Sequence, residues 1–237
     1  FIFSFEGLLR MPNRSKRVLY SIMSEYFSDI NIIIVVRRQD TWAMSAYSTL
    51  LTNTNFTDER IININPTDLY TINYAYYIQE WLSLGSNIKL SVYAYEDYNN
   101  IVDILNDALE FQLDVAHLLN NSEPINSSLS ALGQEVMRQY NLHYARLPSK
   151  EENHTLFRRK LYTVLPKGGA RKPSRADVLK LLRIHQPDNH LLAKTYLKTD
   201  SQFPTWPPIS YYPRDSRPPS VSRQELEYWI EKARSLS

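Results

Sequence analysis

Ile32-Ile33-Ile34-Val35-Val36 is an unbroken run of β-branched residues. A strand with one wet face alternates apolar and polar side chains. A run without alternation suits a strand covered on both faces, as in a parallel sheet with helices on either side. The next residues are Arg37, Arg38 and Gln39, then Asp40 and Thr41, either of which can cap a helix running to about Leu51. The run thus predicts a strand that carries two guanidinium groups to a helix start. In an open α/β sheet that edge, beyond the carboxyl ends of the strands, is where ligands sit.

The remaining pattern agrees with this class. Phe1 to Phe5 reads as a short strand. Ser15 to Phe27 places Val18, Leu19, Ile22, Met23 and Phe27 at helical spacing. A helix opened by Pro66 and stopped by Gly85 carries Tyr70, Tyr74, Tyr76, Tyr77 and Trp81; aromatics at that spacing predict core first and a sugar platform second. Ile88 to Tyr95 alternates as a strand. From Asn99 the pattern is helical over roughly 99–110, 113–120, 128–141, 151–163 and 174–197. Six of the thirteen prolines fall between Gln202 and Ser220, which predicts an extended arm, followed by a last helix from Ser222 to Leu236. The order of strands and helices implies an α/β sandwich on a parallel sheet with a mostly helical C-terminal half.

Composition enters mainly through what it excludes. A net charge of +2 argues against bulk nucleic-acid binding, so any anion site has to be local. Zero cysteines removes disulfides, thiolate metal sites and cysteine nucleophiles, and suits a reducing compartment. No apolar run reaches the roughly 18 residues of a membrane span. No His/Asp/Glu set has metal-site spacing. The first residue is Phe, in a stretch that already reads as a strand, so the expectation is that an upstream part of the fold precedes it.

Two stretches can hold an anion. Arg37, with Ser45 about one turn into the following helix, can grip a tetrahedral oxyanion through a bidentate fork and a hydroxyl; the alternative is an arginine paired with a nearby carboxylate. Leu165 to Arg175, "LPKGGARKPSR", offers Lys167, Arg171, Lys172 and Arg175 around Gly168 and Gly169. It lacks the G-x-x-x-x-G-K-[ST] spacing, and a basic surface loop is its alternative.

The stretch "RRQDTWAMSAY" resembles the 3′-phosphate-binding segment of sulfotransferases that use 3′-phosphoadenosine 5′-phosphosulfate: a strand ends in Arg, with Ser eight positions on, matched by Arg37 and Ser45. Arg38-Gln39 departs from that family's usual dipeptide and is similar to a variant among bacterial members. "VYAYEDY" is similar to the family strand ending in Tyr-Glu-Asp, where the Glu, here Glu96, is mainly architectural. "LPKGGARKPSRADVLKLLRIHQPDNHLLAKTYL" resembles the late cofactor loop, followed by a helix and an Asn-containing turn, with Lys167, Gly168, Gly169 and Arg171 as counterparts. The likeness covers most of residues 1–198 as one sulfotransferase-like α/β domain; the proline-rich arm and C-terminal helix, 199–237, lie outside it.

The resemblance implies a three-layer P-loop-type sandwich. It also implies transfer of a sulfuryl group to a hydroxyl, on a carbohydrate acceptor, by in-line displacement without a metal, leaving adenosine 3′,5′-bisphosphate. Together with the absence of cysteine it leans toward a cytoplasmic bacterial enzyme. None of the five glycines sits in the family's early 5′-phosphosulfate loop, which the expectation places upstream of Phe1. Glu6 is the candidate base for the acceptor hydroxyl, with a salt bridge to a site arginine as its alternative. His185 and His190 are five apart, which does not put them on one helix face. Two other readings stay open: an inactive sulfotransferase-like module binding a nucleotide or anionic glycan, and a nucleotide-dependent transferase of another kind, such as a small-molecule kinase or a glycosyltransferase, whose typical D-x-D motif is missing.

Overall fold

The computed structural model describes residues 7–62, 73–98, 100–109, 128–144, 153–197, 203 and 206–236. The strand expected at Phe1 to Phe5, the Pro66 helix start and the helix at 113–120 lie outside these. The described residues form an α/β chain, mostly helical, with eight α-helices and a two-stranded parallel sheet. The order is α1 (Asn13–Tyr26), β1 (Ile30–Val36), α2 (Gln39–Asn53), α3 (Tyr74–Leu82), β2 (Ile88–Ala94), α4 (Ile101–Leu109), α5 (Ala131–His143), α6 (His154–Val164), α7 (Arg175–Thr195) and α8 (Arg223–Arg234). Short 3-10 turns occupy Tyr95–Asp97 and Ile209–Tyr211.

The chain divides into two compact units. One comprises Phe1–Arg38, Thr71–Asn120 and Leu182–Pro207; the other comprises Gln39–Tyr70, Asn121–Leu181 and Pro208–Ser237.

In the first unit β1 and β2 pair in parallel register from Ile30 with Ile88 to Val36 with Ala94. Leu197 adds a parallel bridge to Val92. Ile30, Ile34 and Val36 are buried while Ile32, Ile33 and Val35 are half-buried, so the non-alternating run is covered on both faces, unequally. Trp81, Ile78 and Tyr74 of α3 are in the core, and Tyr76 is exposed. The tyrosine-rich helix is therefore mainly a packing element. Lys16 of α1 is buried outright and ion-paired to Glu80 of α3 at 2.7 Å.

The second unit is helical: α2 packs on α5 and α6, and α8 packs on the same two helices. The loop after α2 is fixed from below by buried donors. Arg138 donates to the Thr57 carbonyl, Asn141 to the carbonyls of Leu51 and Phe56, and Arg158 to Asn55 Oδ1. Two sequence expectations shift here. Asp40 and Thr41 lie inside the first turn of α2, which opens at Gln39, and the buried Asp40 carboxylate accepts the Tyr212 hydroxyl. From Pro208 onward the arm is thereby held on the second unit, aided by Arg175 N–H to the Pro213 carbonyl at 2.9 Å and Ser216 Oγ to the Lys172 carbonyl.

The segment after the glycine loop also differs from the family pattern. Where a turn at Asn189 was expected, α7 continues as one helix through Pro187 to Thr195. A buried stripe at helical spacing (Val178, Leu181, His185, Asn189, Leu192) keeps it helical across the missing proline N–H. His185 is on that stripe, whereas His190 is exposed, in line with their five-residue spacing.

Candidate functional site

Arg37 follows the last residue of β1, at the carboxyl end of the parallel pair. Its backbone is fixed by one side chain: the Tyr74 hydroxyl donates to the Arg37 carbonyl at 2.7 Å and accepts from the Arg37 amide at 3.4 Å. Burial pushes the Tyr74 hydroxyl well above the usual tyrosine range, so it stays a neutral O–H donor. The guanidinium carbon lies 5.1 Å from the centre of the Tyr95 ring, within cation–π range. Its Nε is buried with no hydrogen-bond partner, and among the described residues no carboxylate pairs with it.

The neighbouring groups are tied down. Glu96, in the turn after β2, accepts the Arg38 amide at 2.9 Å. Arg38 lies over the Trp206 ring at 5.7 Å. Asp188 of α7 accepts the Ala75 amide at 3.1 Å, so a carboxylate from another helix caps the start of α3. Burial raises the Asp188 carboxyl above its usual range, against the pull of the α3 amides.

The other predicted residues fall in the second unit, or outside the described residues in the case of Glu6. Ser45 is an exposed residue of α2, and its carbonyl accepts from Thr49. Lys167 donates to the Tyr162 carbonyl at 2.5 Å and rests on that ring at 3.0 Å; burial lowers its ammonium from the usual lysine range. Gly168 has φ +130°, a conformation that favours glycine, and its amide donates to the Ser128 carbonyl. Gly169 accepts from the Ala131 amide at 3.0 Å. Arg171 is buried, donates to the Glu59 carbonyl and to the Tyr47 hydroxyl at 3.4 Å, and has an unpartnered Nε. Desolvation lifts Tyr47 to about 12, with the Arg171 charge pulling the other way.

The two predicted clusters therefore differ. Arg37 and Arg171 each keep a buried Nε without a partner, but Arg171 also donates to Glu59 and Tyr47, and Lys167 to Tyr162, within their own unit. Sequence reasoning missed Tyr95 and Trp206 as neighbours of the arginine pair. Tyr95 could have been found from its place just past β2; Trp206, more than a hundred and fifty residues from Arg38, gave no local signal. A further cleft of ≈ 410 Å³ in the second unit, lined by Gln139, His143, Tyr144, Ser222, Arg223 and Leu226, contains none of the predicted residues. Among the described residues no cluster of three or more His, Asp or Glu could hold a metal, and no helix is long and apolar enough to cross a membrane. Compared with family models, with curated proteins and with solved structures, the chain matches none.

Proposed function

We propose that this chain is a sulfotransferase that moves a sulfuryl group from 3′-phosphoadenosine 5′-phosphosulfate to a hydroxyl, on a carbohydrate acceptor. The observation that supports it most is Arg37: a guanidinium at the carboxyl end of a parallel strand, stacked on Tyr95, with a buried Nε lacking an acceptor and no ion pair among the described residues. Such a group fits an acceptor-only, anionic ligand such as a 3′-phosphate. A three-layer P-loop-type sandwich, with β1 and β2 as part of its sheet, belongs to the same proposal.

In this reading Arg37 binds and orients the 3′-phosphate and Tyr74 holds the Arg37 backbone in place; Ser45 is assigned to the cofactor on the resemblance alone. Lys167, Gly168, Gly169 and Arg171 are assigned to the cofactor on the resemblance, and Glu6 is assigned the acceptor's proton. The chemistry supplied by the bound cosubstrate is a transferable sulfuryl group. What Arg37 contributes is positioning and charge neutralisation, which dominate such displacements by analogy with phosphoryl transfer.

The test is release of adenosine 3′,5′-bisphosphate from 3′-phosphoadenosine 5′-phosphosulfate in the presence of hydroxylated saccharides. Arg37→Ala is expected to lower kcat/KM by roughly a hundredfold, the scale of a lost bidentate charge-assisted contact. Release unaffected by that substitution contradicts the proposal. A second reading, nucleotide or anionic-glycan binding without turnover, is favoured by the engagement of Lys167 and Arg171 within their own unit. It predicts Arg37-dependent binding with no release.

A further inference from the structure

The proline-rich arm has no counterpart in the sulfotransferase pattern, yet one of its residues belongs with the arginine pair. Trp206 is half-buried; its indole Nε1 is fully shielded and has no acceptor. Its ring holds the Arg38 guanidinium at 5.7 Å, while Glu96 fixes the Arg38 amide. The indole is therefore held against the residue next to Arg37. Arg37 Nε is itself a buried donor without an acceptor. Two adjacent positions of the chain thus each lead to an unmet buried N–H: Arg37 in its own side chain, Arg38 through the ring it rests on.

Buried donors left unmet are costly, about 1–3 kcal/mol each, and native folds keep few of them. Both groups here are donors only, since an indole N–H and a guanidinium cannot accept. A ligand able to satisfy both must be rich in acceptor oxygens and carry negative charge to suit two arginines. A tetrahedral ester oxyanion has three such oxygens pointing in different directions, so it can serve a guanidinium and a separate indole together. Tryptophan is the side chain that offers both a broad face for a guanidinium and a single donor at its edge.

We propose that Trp206 is a ligand-binding residue that donates its indole N–H to the phosphate or sulfate ester gripped by Arg37. This rests on the reading under Proposed function and deepens it by giving the arm a part in ligand recognition.

Trp206→Phe separates the two roles of the residue, because it keeps a ring face for Arg38 and removes only the donor. The variant, the wild type and Arg37→Ala are titrated calorimetrically with adenosine 3′,5′-bisphosphate and with a sulfated monosaccharide, and melted without ligand. The expected result is an unchanged or raised melting midpoint for Trp206→Phe, since an unmet donor is gone, with binding weakened about tenfold. Weakening for the bisphosphate assigns the contact to the nucleotide's phosphate, and weakening for the sulfated sugar alone assigns it to an acceptor-side ester. If Arg37→Ala abolishes bisphosphate binding while Trp206→Phe binds both probes as the wild type does, the inference fails and the reading beneath it stands. A lowered midpoint with unaltered affinities makes Trp206 a packing residue and also overturns it. Failure of the wild type to bind either probe removes the reading and the inference together.

Discussion

Lys16 has no exposed side-chain surface, yet it carries a charge: its ammonium lies 2.7 Å from Glu80 Oε2 and over the rings of Tyr77 and Trp81, at 5.1 and 5.6 Å. Removing one partner of such a pair leaves the other buried and uncompensated, which hurts more than replacing the charge with an apolar chain. Glu80→Gln is expected to lower unfolding stability by roughly 2–3 kcal/mol in urea titrations, and Lys16→Met by about 1 kcal/mol or less. The Lys16 contact holds the Glu80 carboxyl below its usual range. Its contribution is therefore present above the unfolded value and is lost as pH falls through the folded one. Asp188 has the opposite sign. Burial raises its carboxyl above the usual aspartate range, so the native state holds the proton more tightly and stability falls as pH rises from the ordinary value through the raised one. Asp188→Asn keeps an oxygen to accept the Ala75 amide and abolishes the charge. Melting curves between pH 4 and 7 are expected to lose that falling contribution, with stability at pH 7 unchanged or higher.

Among the elements, α8 has the clearest local code. Ser222 caps it, its hydroxyl accepting from Glu225 N while the Glu225 carboxylate accepts from Ser222 N at 2.9 Å, a complete capping box. Ser222→Ala is expected to cost about 1 kcal/mol in a urea titration. The loop from Leu165 to Arg175 depends on two glycines for different reasons. At Gly133 of α5 a Cβ would stand 2.8 Å from the Pro166 carbonyl, so the helix can approach the loop only without a side chain. At Gly168 a Cβ would meet nothing within 4 Å, but φ is +130°. Gly168→Ala should thus destabilise by roughly 1–3 kcal/mol through backbone strain alone.

Helices and strands of this kind were readable from the chain because their signals are local. β-branched residues mark β1, a Ser-x-x-Glu box marks α8, and apolar periodicity marks α1, α5 and α6. What could not be read was settled by distant partners. Asp40, expected as a cap, lies in the first turn of α2 and accepts Tyr212 from the arm. The helix expected over 174–197 is present as α7, which passes through Pro187 because its buried stripe continues on both sides. At the candidate site Arg37 was legible from its position after a strand. The engagement of Arg171 with Glu59 and Tyr47, and the pairing of Arg38 with Trp206, depend on segments brought together only by folding.

At the scale of the whole chain, the unit holding Arg37 is assembled from three separated segments: Phe1–Arg38, Thr71–Asn120 and Leu182–Pro207. A ligand gripped by Arg37 acts on a unit stitched from all of them, so binding has to appear as global stabilisation. At a free concentration one hundred times Kd, adenosine 3′,5′-bisphosphate should add about 2.7 kcal/mol to unfolding stability. Arg37→Ala should show none of that gain in the same denaturant titration. The most direct measurement is calorimetric titration of the wild type and Arg37→Ala with adenosine 3′,5′-bisphosphate and with adenosine 5′-monophosphate. The account predicts binding that requires both the 3′-phosphate and Arg37. Equal affinity for the two nucleotides, or affinity untouched by Arg37→Ala, would contradict it.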